Sequence, residues 1–188
     1  MNSELMRLSL ITLSLFLVMV LVVNVHTYLD AGKFIPEATR HSQVRNVNLM
    51  RSVNRHHPSE HKNYPSLAHT KKLRLVAEPA LKRVYVLTGS RVIYMMHAQI
   101  NLYPQHLTSQ AKSGQQLYQK RGTTLVTGFD WSEFGHHFYF ESVAAVNQHR
   151  VGNNWLQDPV KVPGTIQLSK PDARWIQTLP KGIPIIIR

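Results

Sequence analysis

The sequence contains no cysteine among its 188 residues. This absence excludes disulfide bonds, cysteine-ligated zinc, iron–sulfur clusters and a cysteine nucleophile. Acidic residues are scarce as well: 10 Asp and Glu stand against 22 Lys and Arg, for a formal net charge of +12. A positive charge of this size favours an anionic partner, such as nucleic acid, a membrane surface or an acidic polymer. Because 43% of the residues are hydrophobic, a wholly disordered chain is excluded.

The N-terminal region carries a long uncharged apolar run, LSLITLSLFLVMVLVV, over residues 8–23. Extended to residue 25, the run is near the lower limit of the length of about 17–25 residues that a bilayer-crossing helix needs. It predicts an uncleaved signal anchor or a cleaved secretory signal peptide, and the lack of a small-residue cleavage site favours the anchor. We therefore expect a transmembrane helix within residues 1–25, in the membrane through residues 8–25, and a single-pass cell-membrane protein whose C-terminal domain lies outside the cytoplasm.

Residues 26–70 form a basic stretch of low apolar content, which indicates a stalk that is partly disordered or helical. Pro36 followed by Glu37 can open a short helix, and Pro58 would end it. A solvated spacer is the simplest interpretation of this stalk. The alternative is electrostatic contact with anionic lipid head groups or anionic wall polymers. An exported segment rarely meets nucleic acid, so no nucleic-acid partner is predicted.

The stalk also contains a group of histidines, His56, His57 and His61, that could ligate a metal. No carboxylate pattern and no cysteine accompanies them, so neither a metal site nor any cofactor is predicted.

From residue 71 to residue 188 the pattern changes to short runs of β-branched and aromatic residues, which predicts a mainly β domain. Strands are predicted at 73–76, 83–87, 91–96, 136–140 and 183–187. The polar break at 88–90 contains Gly89 and predicts a hairpin turn. Residues 101–121 are polar and are expected to be loops around one weak strand. Ser169 and Pro171 mark the start of one short helix that runs to about residue 179.

Three blocks of this domain resemble the catalytic domain of L,D-transpeptidases of the YkuD type. The C-terminal block reads GTIQLSKPDARW at 164–175 and LPKGIPII at 179–186. In that family a Ser-His-Gly-Cys motif precedes a helix containing Asp-Ala and an aromatic residue. KRVYV and RVIY, within 82–94, resemble the family's first hairpin, and GHHFYFESV at 135–143 resembles the strand that carries its first active-site histidine. The likeness covers about residues 73–188 and implies a β-sandwich or barrel with one short helix near the C-terminus.

Members of this family cross-link peptidoglycan through a cysteine thiolate, which attacks a tetrapeptide stem and releases its terminal D-alanine. In this sequence Thr165 stands where that cysteine is expected and Pro163 stands where the motif histidine is expected. Gln167 replaces the usual arginine, and Glu141 replaces the upstream histidine. Only Gly164 of the motif is kept. The resemblance therefore implies a degenerate member whose catalytic residues are replaced.

A threonine hydroxyl needs a positioned base, and Pro163 has no ionisable group. The resemblance thus implies an inactive domain that faces the cell wall and binds peptidoglycan or an anionic wall polymer, or regulates an active wall enzyme. One alternative is an active acyl transferase that uses Thr165 with Glu141 as base. Histidines nearby in sequence offer displaced bases, namely His136, His137 and His149. The other alternative is the electrostatic anchor formed by the stalk.

The three tryptophans, Trp131, Trp155 and Trp175, could stack on sugar or peptide. The helical spacing of Trp175 instead predicts a core position.

Overall fold

The computed structural model of the chain describes residues 12, 14–20, 37–67, 70–121, 123–157 and 159–188. Residues 12 and 14–20 are helical, and the side chains from Leu15 to Val20 are exposed. Within these described stretches, no helix combines the length and the apolar character that a membrane crossing requires. Most of the predicted transmembrane segment, residues 8–25, lies outside the described residues, and the anchor stays a prediction.

The chain divides into two compact units, residues 1–40 and residues 41–188. The described part of the chain contains helix α1 (Glu37–Val47), helix α2 (Lys170–Ile176) and ten strands. The strands are β1 (Leu73–Glu78), β2 (Arg83–Thr88), β3 (Arg91–His97), β4 (Gln99–Ile100), β5 (Gln105–Arg121), β6 (Thr124–Phe134), β7 (Phe138–Val146), β8 (His149–Arg150), β9 (Thr165–Gln167) and β10 (Pro184–Ile187). The expectation of a mainly β domain with few helices is confirmed.

The strands form one mixed sheet in the order β3-β2-β1-β10-β5-β6-β7-β9-β4, with β8 paired to β7. Two of the pairings, β1 with β10 and β7 with β9, are parallel, and the others are antiparallel. The parallel pairs join strands that are distant in sequence. The C-terminal strand β10 thereby enters the middle of the sheet, and β9 lies beside β7.

The predicted hairpin is present as β2 and β3, and Gly89 adopts a φ of +57° in its turn. The expectation of loops over residues 101–121 is wrong, because β5 is a continuous strand that pairs with β6 as far as Arg121. Much of β5 is polar and exposed on both faces, so it lacks the apolar alternation by which a half-buried strand is identified. The strand is stabilised by its hydrogen bonds to β6, and this pairing cannot be predicted from the residues of β5 alone.

Helix α2 is short but firmly capped and buried. The Ser169 side chain accepts a hydrogen bond from the Asp172 N–H, and Pro171 lies in the first turn, as predicted. Ala173, Trp175 and Ile176 are buried against the sheet. Each large apolar side chain that is buried in this way stabilises the fold by about 1.5–3 kcal/mol. Trp175 is a core residue, as its helical spacing predicts.

Residues 41–67, which we call the arm, belong to the same compact unit as the strands. Asn46 donates to the Val92 carbonyl at 2.9 Å, and the buried Glu60 carboxylate accepts from the Met95 N–H at 2.7 Å. The Arg55 guanidinium donates to the Val143 carbonyl at 2.8 Å. The arm thus packs on the sheet, whereas the sequence indicated a solvated spacer here. The sequence did not reveal this packing because polar side chains make many of the contacts, beside the buried core residue Leu67.

Candidate functional site

The five positions that the resemblance selects lie on the parallel strands β7 and β9 and in the turn before β9. Tyr139 of β7 pairs with Thr165 of β9, and Glu141 pairs with Gln167. Pro163 and Gly164 form the turn that leads into β9. Positions that are more than 20 residues apart in sequence are therefore brought together by the crossover from β7 to β9.

Gly164 is required by its backbone conformation and not by lack of space. Its φ of +75° lies in the left-handed region, and a Cβ would come no closer than 3.5 Å to Phe138. Its N–H donates to the Asn101 carbonyl at 3.3 Å, and its own carbonyl accepts from the Tyr139 N–H at 3.1 Å. These bonds hold the turn between β4 and β7.

The Thr165 hydroxyl is fully buried and donates to the Val162 carbonyl at 2.8 Å. A backbone carbonyl cannot act as a general base, and a nucleophile needs a base within about 2.6–3.2 Å. Glu141 lies two residues further along β7 than Tyr139, the strand partner of Thr165. The hydrogen bond of Thr165 therefore stabilises the turn that precedes β9.

Glu141 is fully buried, and its carboxylate packs against Gly128 of β6. A Cβ at position 128 would lie 2.2 Å from Glu141 Oε2, so the glycine makes room for the carboxylate. The Gln167 amide is also buried and donates to the Val160 carbonyl at 2.8 Å. Both side chains are enclosed by protein.

An open groove of about 570 Å³ lies in front of this motif. Its lining consists of Tyr118, Gln119, Lys120, His137, Tyr139, Pro163 and Gly164. The first three residues belong to the tip of the β5–β6 hairpin. Two motif positions, Pro163 and Gly164, therefore face the groove, whereas Thr165 and Glu141 are buried residues that do not line it.

Of the three histidines considered as displaced bases, His137 lines the groove. Its backbone N–H donates to Glu133 Oε1 at 3.2 Å, and its ring Nδ1 lies 3.4 Å from the same oxygen. His136 is exposed in the same turn, and the exposed His149 contacts the Asn147 carbonyl at 2.9 Å. His137 is thus placed at the groove, whereas Thr165, the nucleophile that it would have to activate, is buried and does not line the groove.

The histidines of the basic stretch, His56, His57 and His61, lie in the described part of the arm. Among the residues described, no group of three or more His, Cys, Asp and Glu side chains is arranged to hold a metal ion.

A buried carboxylate, Asp172, organises a second polar cluster that the sequence analysis missed. Ser59 Oγ donates to Asp172 Oδ2 at 2.5 Å, Tyr64 Oη to Oδ1 at 2.8 Å and Ser169 Oγ to Oδ2 at 2.8 Å. Tyr94 Oη completes the cluster at 3.3 Å. Burial raises the pKa of Asp172, and the hydrogen bonds from the serines and Tyr64 oppose that shift.

Burial, followed by the negative field of Asp172, raises the pKa of Tyr64 and of Tyr94. Both phenols therefore stay protonated donors to the carboxylate. The Ser-x-x-Asp spacing of 169–172 is a capping-box pattern, so half of the cluster was visible in the sequence. The arm residues that complete it lie more than 100 positions away.

In sequence, the chain matches no protein-family model and no curated protein. Among solved structures it is similar to L,D-transpeptidase 1 of Mycobacterium tuberculosis, with 18% identity and a TM-score of 0.48 over 61% of this chain and 60% of that one. It is also similar to an L,D-transpeptidase from Mycobacterium smegmatis, with 16% identity and a TM-score of 0.47 over 62% and 58% of the two chains.

A third similar structure is a fused Zn-dependent amidase/peptidase/peptidoglycan-binding domain-containing protein from Clostridium acetobutylicum, with 16% identity, a TM-score of 0.47 and coverage of 82% and 64%. The chain spans about three-fifths of the length of the solved chains that it matches.

Proposed function

We propose that this chain is a cell-envelope protein whose L,D-transpeptidase-like domain binds peptidoglycan without catalysing its cross-linking. The observation that carries the proposal is the placement of Thr165. The residue at the nucleophile position is fully buried, and its hydroxyl is engaged by the Val162 carbonyl. The motif resemblance suggests peptidoglycan as the ligand, and the burial of Thr165 argues against a cross-linking activity.

The family reaction needs an acidic nucleophile, a base beside it and donors for the developing oxyanion. At the groove, Pro163 offers no ionisable group and no backbone N–H. Glu141 is enclosed behind Gly128, so its carboxylate is not presented to a substrate. Groups of this kind act as a unit, and replacing them costs many orders of magnitude in rate.

The groove at Gly164 offers groups that suit a peptide stem. Tyr118 and Tyr139 provide aromatic surface, and Lys120 provides a cation for a carboxylate. A net charge of +12 further favours an anionic wall. Binding without turnover is the function that this combination supports best.

The proposal includes a location. The apolar run at residues 8–25 serves as a membrane anchor, and the β domain lies outside the cytoplasm on the wall side. In this position the domain holds peptidoglycan near the membrane or regulates an active wall enzyme. The support is the uncharged length of the run in the sequence.

The test incubates the full chain, in detergent, with isolated peptidoglycan and measures both sedimentation and free D-alanine. We expect the chain to sediment with the wall and to release no D-alanine. Thr165→Val keeps the shape of the side chain and is expected to sediment equally. Release of D-alanine that is lost in Thr165→Val would instead support the active transferase.

A salt series distinguishes groove binding from a purely electrostatic anchor. Between about 0.15 M and 1 M salt the Debye length falls from roughly 8 Å to 3 Å. Binding that largely survives this change supports the proposal. Binding that disappears would support the electrostatic contact of the basic stalk instead.

A further inference from the structure

A second groove, of about 380 Å³, lies where the arm meets helix α2. Its lining consists of His56, Tyr64, Lys170, Pro171, Arg174, Trp175 and Thr178. No residue of this arm groove also lines the groove at Gly164. Its volume falls in the range of about 300–1,000 Å³ that is typical of small-molecule sites. The groove exists only because the arm packs on the domain.

The floor of the arm groove is aromatic and held in place. The rings of Tyr64 and Trp175 stack with centroids 4.8 Å apart and planes inclined by 18°. The Tyr64 hydroxyl is bound by the buried Asp172, which fixes the orientation of the ring. A platform that is ordered before a ligand arrives loses little conformational entropy on binding.

The rim of the arm groove is cationic, and its acidic neighbours are turned inward. His56, Lys170 and Arg174 are exposed. Asp172 is fully buried beneath the groove, and the buried Asp130 accepts from Arg174 Nε at 3.2 Å. The groove therefore presents positive charge to solvent.

Arg174 is suited to receive a carboxylate. Its side chain is 68% exposed, and its bond to Asp130 engages only Nε, while the two terminal nitrogens carry four further donors. Its anchoring by Asp130 fixes the planar fork, which matches the geometry of a carboxylate. Lys170 Nζ lies 5.5 Å from the centroid of the Phe129 ring, so this second cation is also positioned.

We infer that the arm groove binds an acidic sugar of a glycan chain. The apolar face of the sugar ring packs on Tyr64 and Pro171. Its carboxylate, which is free where no stem peptide is attached to the sugar, pairs with Arg174 and Lys170. The inference rests on the proposed peptidoglycan binding and adds to it a second site with its own ligand class. The groove at Gly164 faces peptide stems, whereas the arm groove takes the sugar backbone.

The test measures the affinity of the full chain, in detergent, for two disaccharides by calorimetry. One is N-acetylglucosaminyl-N-acetylmuramic acid, which carries a carboxylate, and the other is the neutral dimer of N-acetylglucosamine. We expect the acidic disaccharide to bind at least about tenfold more tightly, the effect of roughly one charge-assisted hydrogen bond. Equal affinity for the two sugars, or no binding of either, would overturn the inference.

Paired variants locate the site. The double variant Lys170→Gln/Arg174→Gln is expected to weaken the acidic disaccharide about tenfold or more, whereas Lys71→Gln, an exposed lysine outside the groove, should leave it unchanged. Tyr64→Leu removes the platform and should weaken both sugars; its fold is checked by thermal melting. An equal loss in Lys71→Gln, or tighter binding of a short oligonucleotide than of the sugar, contradicts the inference.

The same variants separate this inference from the proposed function. If stem-free glycan strands sediment the wild type and the Lys170→Gln/Arg174→Gln variant equally, while intact peptidoglycan sediments both, the arm groove is not a glycan site and the proposed function stands. If the acidic disaccharide binds at the arm groove but intact peptidoglycan does not sediment the chain, the proposed function fails and the sugar site stands.

Discussion

The groove at Gly164 and the arm groove differ in the polar side chains that are buried behind them. Behind the first, Thr165 and Glu141 are buried. Behind the second, the acids Asp130 and Asp172 are buried, and the cations around them are exposed. Both grooves present an exposed lysine to solvent, so the contrast lies in the buried groups.

This comparison shows that buried polar groups stabilise the domain in two different ways. The Thr165 hydroxyl bonds a carbonyl three residues away and therefore stabilises a local turn. Asp172 bonds Ser59 and Tyr64 from the arm and therefore joins distant parts of the chain. Substitutions at the two sites should consequently differ in size, and the following predictions are ordered by that size.

The largest effect is expected for Asp172→Ala. The change leaves the buried hydroxyls of Ser59, Tyr64 and Ser169 without their common acceptor, so the free energy of unfolding should fall by about 3 kcal/mol. Urea denaturation measures the loss, and hydrogen exchange should show that the arm loses protection first. If the variant kept its stability and its arm stayed protected from exchange, the claim that Asp172 joins the arm to the domain would be contradicted.

The dependence of the unfolding free energy on pH gives a second test of the role of Asp172. Burial raises the folded-state pKa of this carboxyl above its ordinary value of 3.8. Its contribution to stability is therefore greatest below about 3.8 and is lost as pH rises through the folded pKa. The difference in unfolding free energy between the wild type and Asp172→Asn should become less favourable to the wild type over that interval. A difference that grows with pH would contradict the assignment.

A smaller effect is expected for Gly128→Ala. The new Cβ would lie 2.2 Å from Glu141 Oε2 in a packed interior, which should cost about 2 kcal/mol. A double-mutant cycle with Glu141→Ala measures the coupling, because removal of the carboxylate frees the space. Additive effects of the two substitutions would show that Gly128 does not make room for Glu141.

The smallest effect is expected for Thr165→Val, which removes one buried hydrogen bond at constant shape. The free energy of unfolding should fall by about 1 kcal/mol, measured by urea denaturation. Thr178→Val, at an exposed threonine whose hydroxyl also donates to a nearby carbonyl, is the matched control and should cost less. If Thr165→Val lowered the free energy of unfolding by several kcal/mol, Thr165 would, like Asp172, link distant parts of the chain and would not merely stabilise a local turn.

Local signals in the sequence account for the parts of the fold that were predicted. The β2–β3 hairpin follows from two β-branched runs around Gly89, and helix α2 follows from Ser169 and Pro171. Strand β5 escaped prediction because its polar residues are stabilised by pairing with β6. The arm escaped for a related reason, since Ser59 and Asp172 are 113 positions apart and no local pattern links them.

The candidate site was predictable only in part. The motif resemblance selected Glu141, Pro163, Gly164, Thr165 and Gln167, and the structure brings these positions together on β7, β9 and the turn before it. The resemblance could not distinguish the residues that face the groove from those buried behind it, because the direction of each side chain decides this. The arm groove was not predictable at all, because it requires the arm to pack against α2.

The most direct test of the central claim is an intact-mass measurement of the full chain after incubation with an activated analogue of a tetrapeptide stem. If the buried hydroxyl of Thr165 is a structural group, the mass of the chain stays unchanged after long incubation. An added acyl mass that maps to Thr165 and disappears in Thr165→Val would contradict the account and identify the chain as an active acyl transferase.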